Sequence, residues 1–270
     1  MDKVKNQFDK KRIITFILIS YTISWMIWRP NLLKYHFNIG NSHSNWLHIL
    51  GALGPMLGAI ITILIFDKTE GLKTYFKERF LTITNPKWIL IGLFMPTTFF
   101  FIAYFLFALF LREWTQLSLI GLNSKVPYTN TLVIWILWCF FYGFGEEGGW
   151  RGYLFPELNK KYKTRISTFY TALIWATWHL PLFFYDKNFI SMGIGGTIGW
   201  LIGLIFGSLL LGWLTKQSNW SLWPAILFHG TFNLFTTSEN LNPLLPALIS
   251  MMVIIVALWI ARKYGEDLSF

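Results

Sequence analysis

The chain has 270 residues, 54% of them hydrophobic, 19% aromatic and only 13% charged, with a mean hydropathy of +0.47. Soluble domains carry about 25% charged residues, so a soluble globule of this size is excluded, and so is a disordered chain, whose signature is low hydrophobicity. A single cysteine, Cys139, rules out a disulfide scaffold. The net charge of +10 comes from basic residues lying mostly between apolar runs. That pattern faces anionic headgroups and sets topology, rather than binding nucleic acid. What remains is an all-α, polytopic membrane helix bundle.

A helix crosses the hydrocarbon with about 20 apolar residues. In chain order the candidates are 13–28, 46–66, 88–111, a run from 131, then 168–184, 194–215, 222–235 and 244–261, which predicts about eight spans. The basic start followed by an apolar run lacks a small-residue cleavage site after Trp28, so it reads as a retained first span. Lys and Arg in alternate segments between the spans total 18 and 5, which predicts both termini on the cytoplasmic side. No repeat or low-complexity linker divides the chain. It reads as one membrane domain over 1–270: spans without a motif over 1–129, a core over 130–236, and a last span with its tail over 237–270.

Ionisable side chains inside membrane segments cost about 2.5–3.5 kcal/mol on insertion scales and mark function. The first cluster is Glu146-Glu147-Gly-Gly-Trp-Arg151. The segment from Leu132 to Leu158 has no other charge until Glu157, so the fourth helix is expected to continue to about Leu158. Glu147 and Arg151 are four apart and share a face, whereas Glu146 lies about 100° round the helix. One carboxylate is thus set beside a cation and the other in an apolar setting, which is how paired carboxylates take different roles. A charged cytoplasmic loop is the competing reading, and Gly148 and Gly149 favour it, since glycine weakens a helix.

His179, twelve residues after Ser167, is the second polar intrusion, and His229-Gly-Thr-Phe-Asn233 is the third. His229 and Asn233 are one turn apart on one face. Counted from the cytoplasmic ends of their segments, Glu146, His179 and His229 all fall about 12–18 Å deep. A shared polar chamber opening toward the cytoplasm accounts for the coincidence.

These three clusters resemble a known family, the CAAX-processing and bacteriocin-processing (CPBP) intramembrane endopeptidases, also called type II CAAX prenyl endopeptidases and formerly Abi proteins. The family pattern E-E-x-x-x-R, F-x-x-x-H and H-x-x-x-N is met by Glu146-Glu147-Gly-Gly-Trp-Arg151, Trp175-Ala-Thr-Trp-His179 and His229-Gly-Thr-Phe-Asn233. Trp175 stands where the family usually has Phe and keeps an aromatic wall. The resemblance covers about 130–236. It implies a membrane-embedded endopeptidase in which Glu146 and His179 activate a water, His229 and Asn233 stabilise the oxyanion, and Glu147 and Arg151 support the site. It also implies a membrane-associated or lipid-modified peptide or protein as substrate, and a protein of the cell membrane, which the Lys- and Asn-rich composition places in a bacterium. A neutral His229 would donate to the oxyanion from one ring nitrogen. No cofactor is expected.

Three other readings remain. Zinc held by His179, His229 and a glutamate is chemically reasonable, although there is no H-E-x-x-H. A transporter or proton relay would use the same residue types, and the inverted repeats that often accompany transporters are not visible. A non-catalytic immunity or scaffold protein would be expected to have lost Glu146 or His179.

Overall fold

The computed structural model describes residues 8–40, 45–126, 130–239 and 241–268. Among the described residues the regular elements are helices, with one isolated β-bridge between Asn123 and Val126 and a single 3-10 turn over Leu117–Leu119. The helices are α1 Lys10–Phe37, α2 Asn45–Gly51, α3 Gly54–Phe80, α4 Pro86–Leu111, α5 Thr131–Trp138, α6 Gly145–Gly149, α7 Phe155–Asn159, α8 Thr164–Trp178, α9 Leu182–Tyr185, α10 Lys187–Ile190, α11 Gly193–Gln217, α12 Trp223–Thr236 and α13 Leu244–Tyr264. Two π-helical segments, Cys139–Phe144 and Trp150–Leu154, join α5, α6 and α7 into one continuous rod over 131–159.

Local chemistry sets several of these boundaries. Asn85 caps α4 by accepting from the Lys87 N–H, with Pro86 at the first helical position. Asn130 accepts from the Leu132 and Val133 N–H groups and starts the rod. Pro181 ends α8, because it has no N–H for the Thr177 carbonyl, which accepts from the Leu180 N–H instead. His179 therefore sits in the tight turn leaving α8.

Among the described residues, four helices are individually long and apolar enough to cross a membrane: α1, α4, α11 and α13. A fifth span is made if α2 and α3, bent by 41° at the break between them, count as one. The sequence expectation of about eight spans exceeds this, and the difference lies in the three motif-bearing segments. α8 has 15 residues and α12 has 14, so at 1.5 Å per residue each is only about 21–23 Å long against a hydrocarbon core of about 30 Å. The rod over 131–159 is long enough but is broken into short α and π pieces. The long helices turn Leu18, Phe94, Phe110, Ile194 and Ile255 outward, each more than half exposed or nearly so, as a lipid-facing surface requires.

The rod lies inside the bundle. α3 packs on α6, α12 packs on the first π segment and α5, α8 packs on α11, and α4 packs on α12 and α13. Glycine allows the closest of these approaches. A Cβ on Gly149 would sit 2.4–2.5 Å from Pro55, and one on Gly230 would sit 2.7–2.8 Å from the Cys139 backbone. The glycines that weaken the rod as an isolated helix thus let α3 and α12 come close to it, and the charged-loop reading of this segment is replaced by a buried helix.

Candidate active site

The rod carries both glutamates into the interior. Glu146, Glu147 and Arg151 are at most 1% exposed, and His179 and His229 are buried at 9% and 7%. The two carboxylates meet different neighbours. Glu147 Oε1 accepts from Arg151 Nη1 at 3.0 Å and lies 2.7 Å from His229 Nδ1. Glu146 Oε2 accepts from the indole N–H of Trp175 at 2.6 Å. The i, i+4 spacing delivers the first contact within the rod, while α12 and α8 supply the others.

The hydrogen-bond partners fix the histidine tautomers. His179 Nδ1 is 2.8 Å from the Trp175 carbonyl oxygen, which can only accept. Nδ1 therefore carries the hydrogen, and in the neutral ring Nε2 holds the lone pair. For His229, Glu147 Oε1 already accepts from Arg151, so it accepts from Nδ1 as well. That arrangement conflicts with the expectation that a neutral His229 donates to an oxyanion. With Nδ1–H turned to Glu147, Nε2 can donate only when the ring is doubly protonated.

Trp175 is the residue whose part the sequence reading missed. Beyond its bond to Glu146, its ring lies 4.4 Å from the Arg151 guanidinium and 5.5 Å, edge-on, from the His229 ring. The available signal was the departure itself: an indole has an N–H where Phe has none. Asn233 is half-buried on α12 one turn after His229, and among the described residues no hydrogen bond joins its amide to the other site residues. Direct contact between Glu146 and His179 is likewise missing from the described hydrogen bonds. Trp175 stands between them, its indole on one and its carbonyl on the other.

A second polar cluster was not expected. His48 is buried in α2. Its Nδ1 is 3.1 Å from the Tyr185 hydroxyl and 3.5 Å from Asp186, which also pairs with Lys125 at 2.7 Å. Trp28 stacks on His48 and packs on Trp178, the neighbour of His179. Among the described residues, no group of three or more His, Cys, Asp or Glu side chains is arranged to hold a metal ion.

Residues 128–235 match the family model of the Rce1-like type II CAAX prenyl endopeptidases. This segment is therefore similar to the Rce1-like CAAX prenyl endopeptidases over two fifths of the chain. It contains all six residues singled out from the sequence, together with Trp175. The chain is also 23% identical over 229 residues to CAAX prenyl protease 2 of Methanococcus maripaludis, an alignment covering 81% of this chain and 82% of that protein. The all-α bundle with several long hydrophobic helices is that of a multi-pass membrane protein, and the similarity to CAAX prenyl proteases falls on the segment that carries the buried acids and histidines.

Proposed function

We propose that the protein is an intramembrane endopeptidase that hydrolyses a peptide bond in a membrane-associated or lipid-modified peptide or protein, using water activated by Glu146 and His179. The observation that carries this is the pairing of Glu146 and His179 through Trp175, deep in a bundle whose other carboxylate is already committed to Arg151 and His229. With Oε2 held by the indole, Oε1 of Glu146 is left to take a proton from water, and His179 offers the lone pair of Nε2 to orient the same water. The water oxygen then attacks the scissile carbonyl carbon, and the proton passes to the leaving amine as the tetrahedral intermediate collapses. An aligned base of this kind is worth about 10²–10⁴-fold. His229, protonated at both nitrogens and backed by Glu147, would meet the developing oxyanion through Nε2, with the Asn233 amide as a second donor. Glu147 and Arg151 orient His229.

The same reading places both termini in the cytoplasm of a bacterial cell, from the charge asymmetry and composition. It uses no metal. The competing zinc reading would use Nε2 of His179, Nε2 of His229 and Glu146, since Nδ1 bonds of this kind leave Nε2 open to a metal, but among the described residues no group of three or more His, Cys, Asp or Glu side chains is arranged to hold an ion.

The test uses purified full-length protein in lipid nanodiscs and a fluorogenic prenylated CAAX peptide. The wild type is expected to cleave it, while Glu146→Gln and His179→Ala lose at least about 10²-fold in kcat and keep the wild-type melting temperature. Full activity in either folded variant would overturn the assignment.

A further inference from the structure

We propose that Trp175 is a positioning residue for Glu146: its indole N–H holds one carboxylate oxygen so that the other faces the water. The proposal deepens the function proposed above and rests on it. Tryptophan at this place could be no more than a large apolar wall, and three observations argue otherwise. The Nε1–Oε2 separation of 2.6 Å is that of a charge-assisted bond, not of packing. The face of its ring lies 4.4 Å from Arg151, which restrains the indole plane. Glu146 is 1% exposed, so solvent does not replace a lost donor cheaply. Phenylalanine, the alternative at this position in the sequence pattern, fills the wall and leaves the carboxylate free to rotate.

Two measurements decide it. In the first, Trp175→Phe is assayed on the prenylated peptide in nanodiscs. The expected result is a fall of about ten- to a hundredfold in kcat with KM unchanged within about twofold, because a bond to a charged group is lost without loss of substrate contact. The second measurement does not depend on turnover. Protein labelled with ¹⁵N at the indole nitrogens is compared with Trp175→Phe, whose missing resonance assigns Trp175, and with Glu146→Ala. The assigned resonance is expected downfield in the wild type and shifted upfield in Glu146→Ala. A Trp175→Phe enzyme with kcat within about twofold of wild type overturns the proposal, and so does an indole resonance indifferent to Glu146→Ala. Should Trp175→Phe not fold, an assignment by Trp175→Tyr leaves the resonance test intact. Should the wild type not cleave the peptide, the functional reading fails by itself, and the resonance alone decides whether Trp175 holds Glu146.

Discussion

Replacing Arg151 by Met removes the cation from a pair that has almost no contact with solvent. Glu147 is fully buried and Arg151 is 1% exposed, with 3.0 Å between them. Breaking such a pair from one side leaves an uncompensated buried charge, which costs about 3–5 kcal/mol. Loss of the guanidinium from the Trp175 face adds about 0.5–2 kcal/mol. At about 2–4 °C per kcal/mol for a chain of this size, the melting temperature falls by about 7–28 °C. Removing both charges in Glu147→Gln/Arg151→Met has a different outcome. The pair is imperfectly satisfied, since Glu147 Oε2 and Arg151 Nη2 have no hydrogen-bond partner among the described residues. The double variant should therefore recover most of the lost stability while turnover stays low, because His229 loses the carboxylate that orients it. Thermal unfolding of the purified protein in one detergent, followed by tryptophan fluorescence, measures all three proteins. An Arg151→Met variant within about 1 kcal/mol of wild type would refute the buried-pair argument, as would a double variant no more stable than the single one.

Asn233→Ala is expected to cost about 10²–10³-fold in kcat with the melting temperature unchanged, because its amide holds no other site residue and one oxyanion donor has that value; normal turnover would remove it from the oxyanion role. Prolonged dialysis against a chelator should leave activity intact, and a loss reversed by added zinc would favour the metal alternative. Stability should also depend on Asp186, outside the spanning helices. Burial works to raise its carboxyl, but Lys125 at 2.7 Å and the Asn188 N–H outweigh it and hold the group below the usual carboxylate range. A depressed folded value means that the stabilisation is fully present above about pH 4, the unfolded value, and is lost as pH falls through the folded one. The wild type should lose more melting temperature between pH 7 and pH 3 than Asp186→Asn does; equal losses would show that the Lys125 pair contributes nothing.

The parts of the site written in local spacing could be read from the sequence. Four residues separate Glu147 from Arg151, and four separate His229 from Asn233, and helical geometry turns each interval into a shared face. The run of uncharged residues around the glutamates likewise announced a helix reaching the Asn159 region. Contacts made between helices were not legible in this way. Nothing near His229 in the chain says that its Nδ1 meets Glu147, 82 residues earlier, or that Trp175 bonds Glu146 across 29. Hydropathy also did not fix the number of spans. A 15-residue helix such as α8 scores like part of a longer one, and its packing on α11 is not registered by hydropathy.

The π segment over Cys139–Phe144 bears on how this protein tolerates change in length. There the Gly145 N–H reaches back five residues to the Phe140 carbonyl, so the coil holds one residue more than an ordinary turn. Deleting one residue there lets the backbone close into ordinary 3.6-fold winding with no broken hydrogen bond, so the rod itself survives. Everything downstream then keeps its angular position relative to α5, because the residue removed is the one the wide turn had absorbed. A single-codon deletion in this stretch is therefore expected to leave the acids facing their neighbours, whereas the same deletion within α5 would turn them by about 100° about the axis.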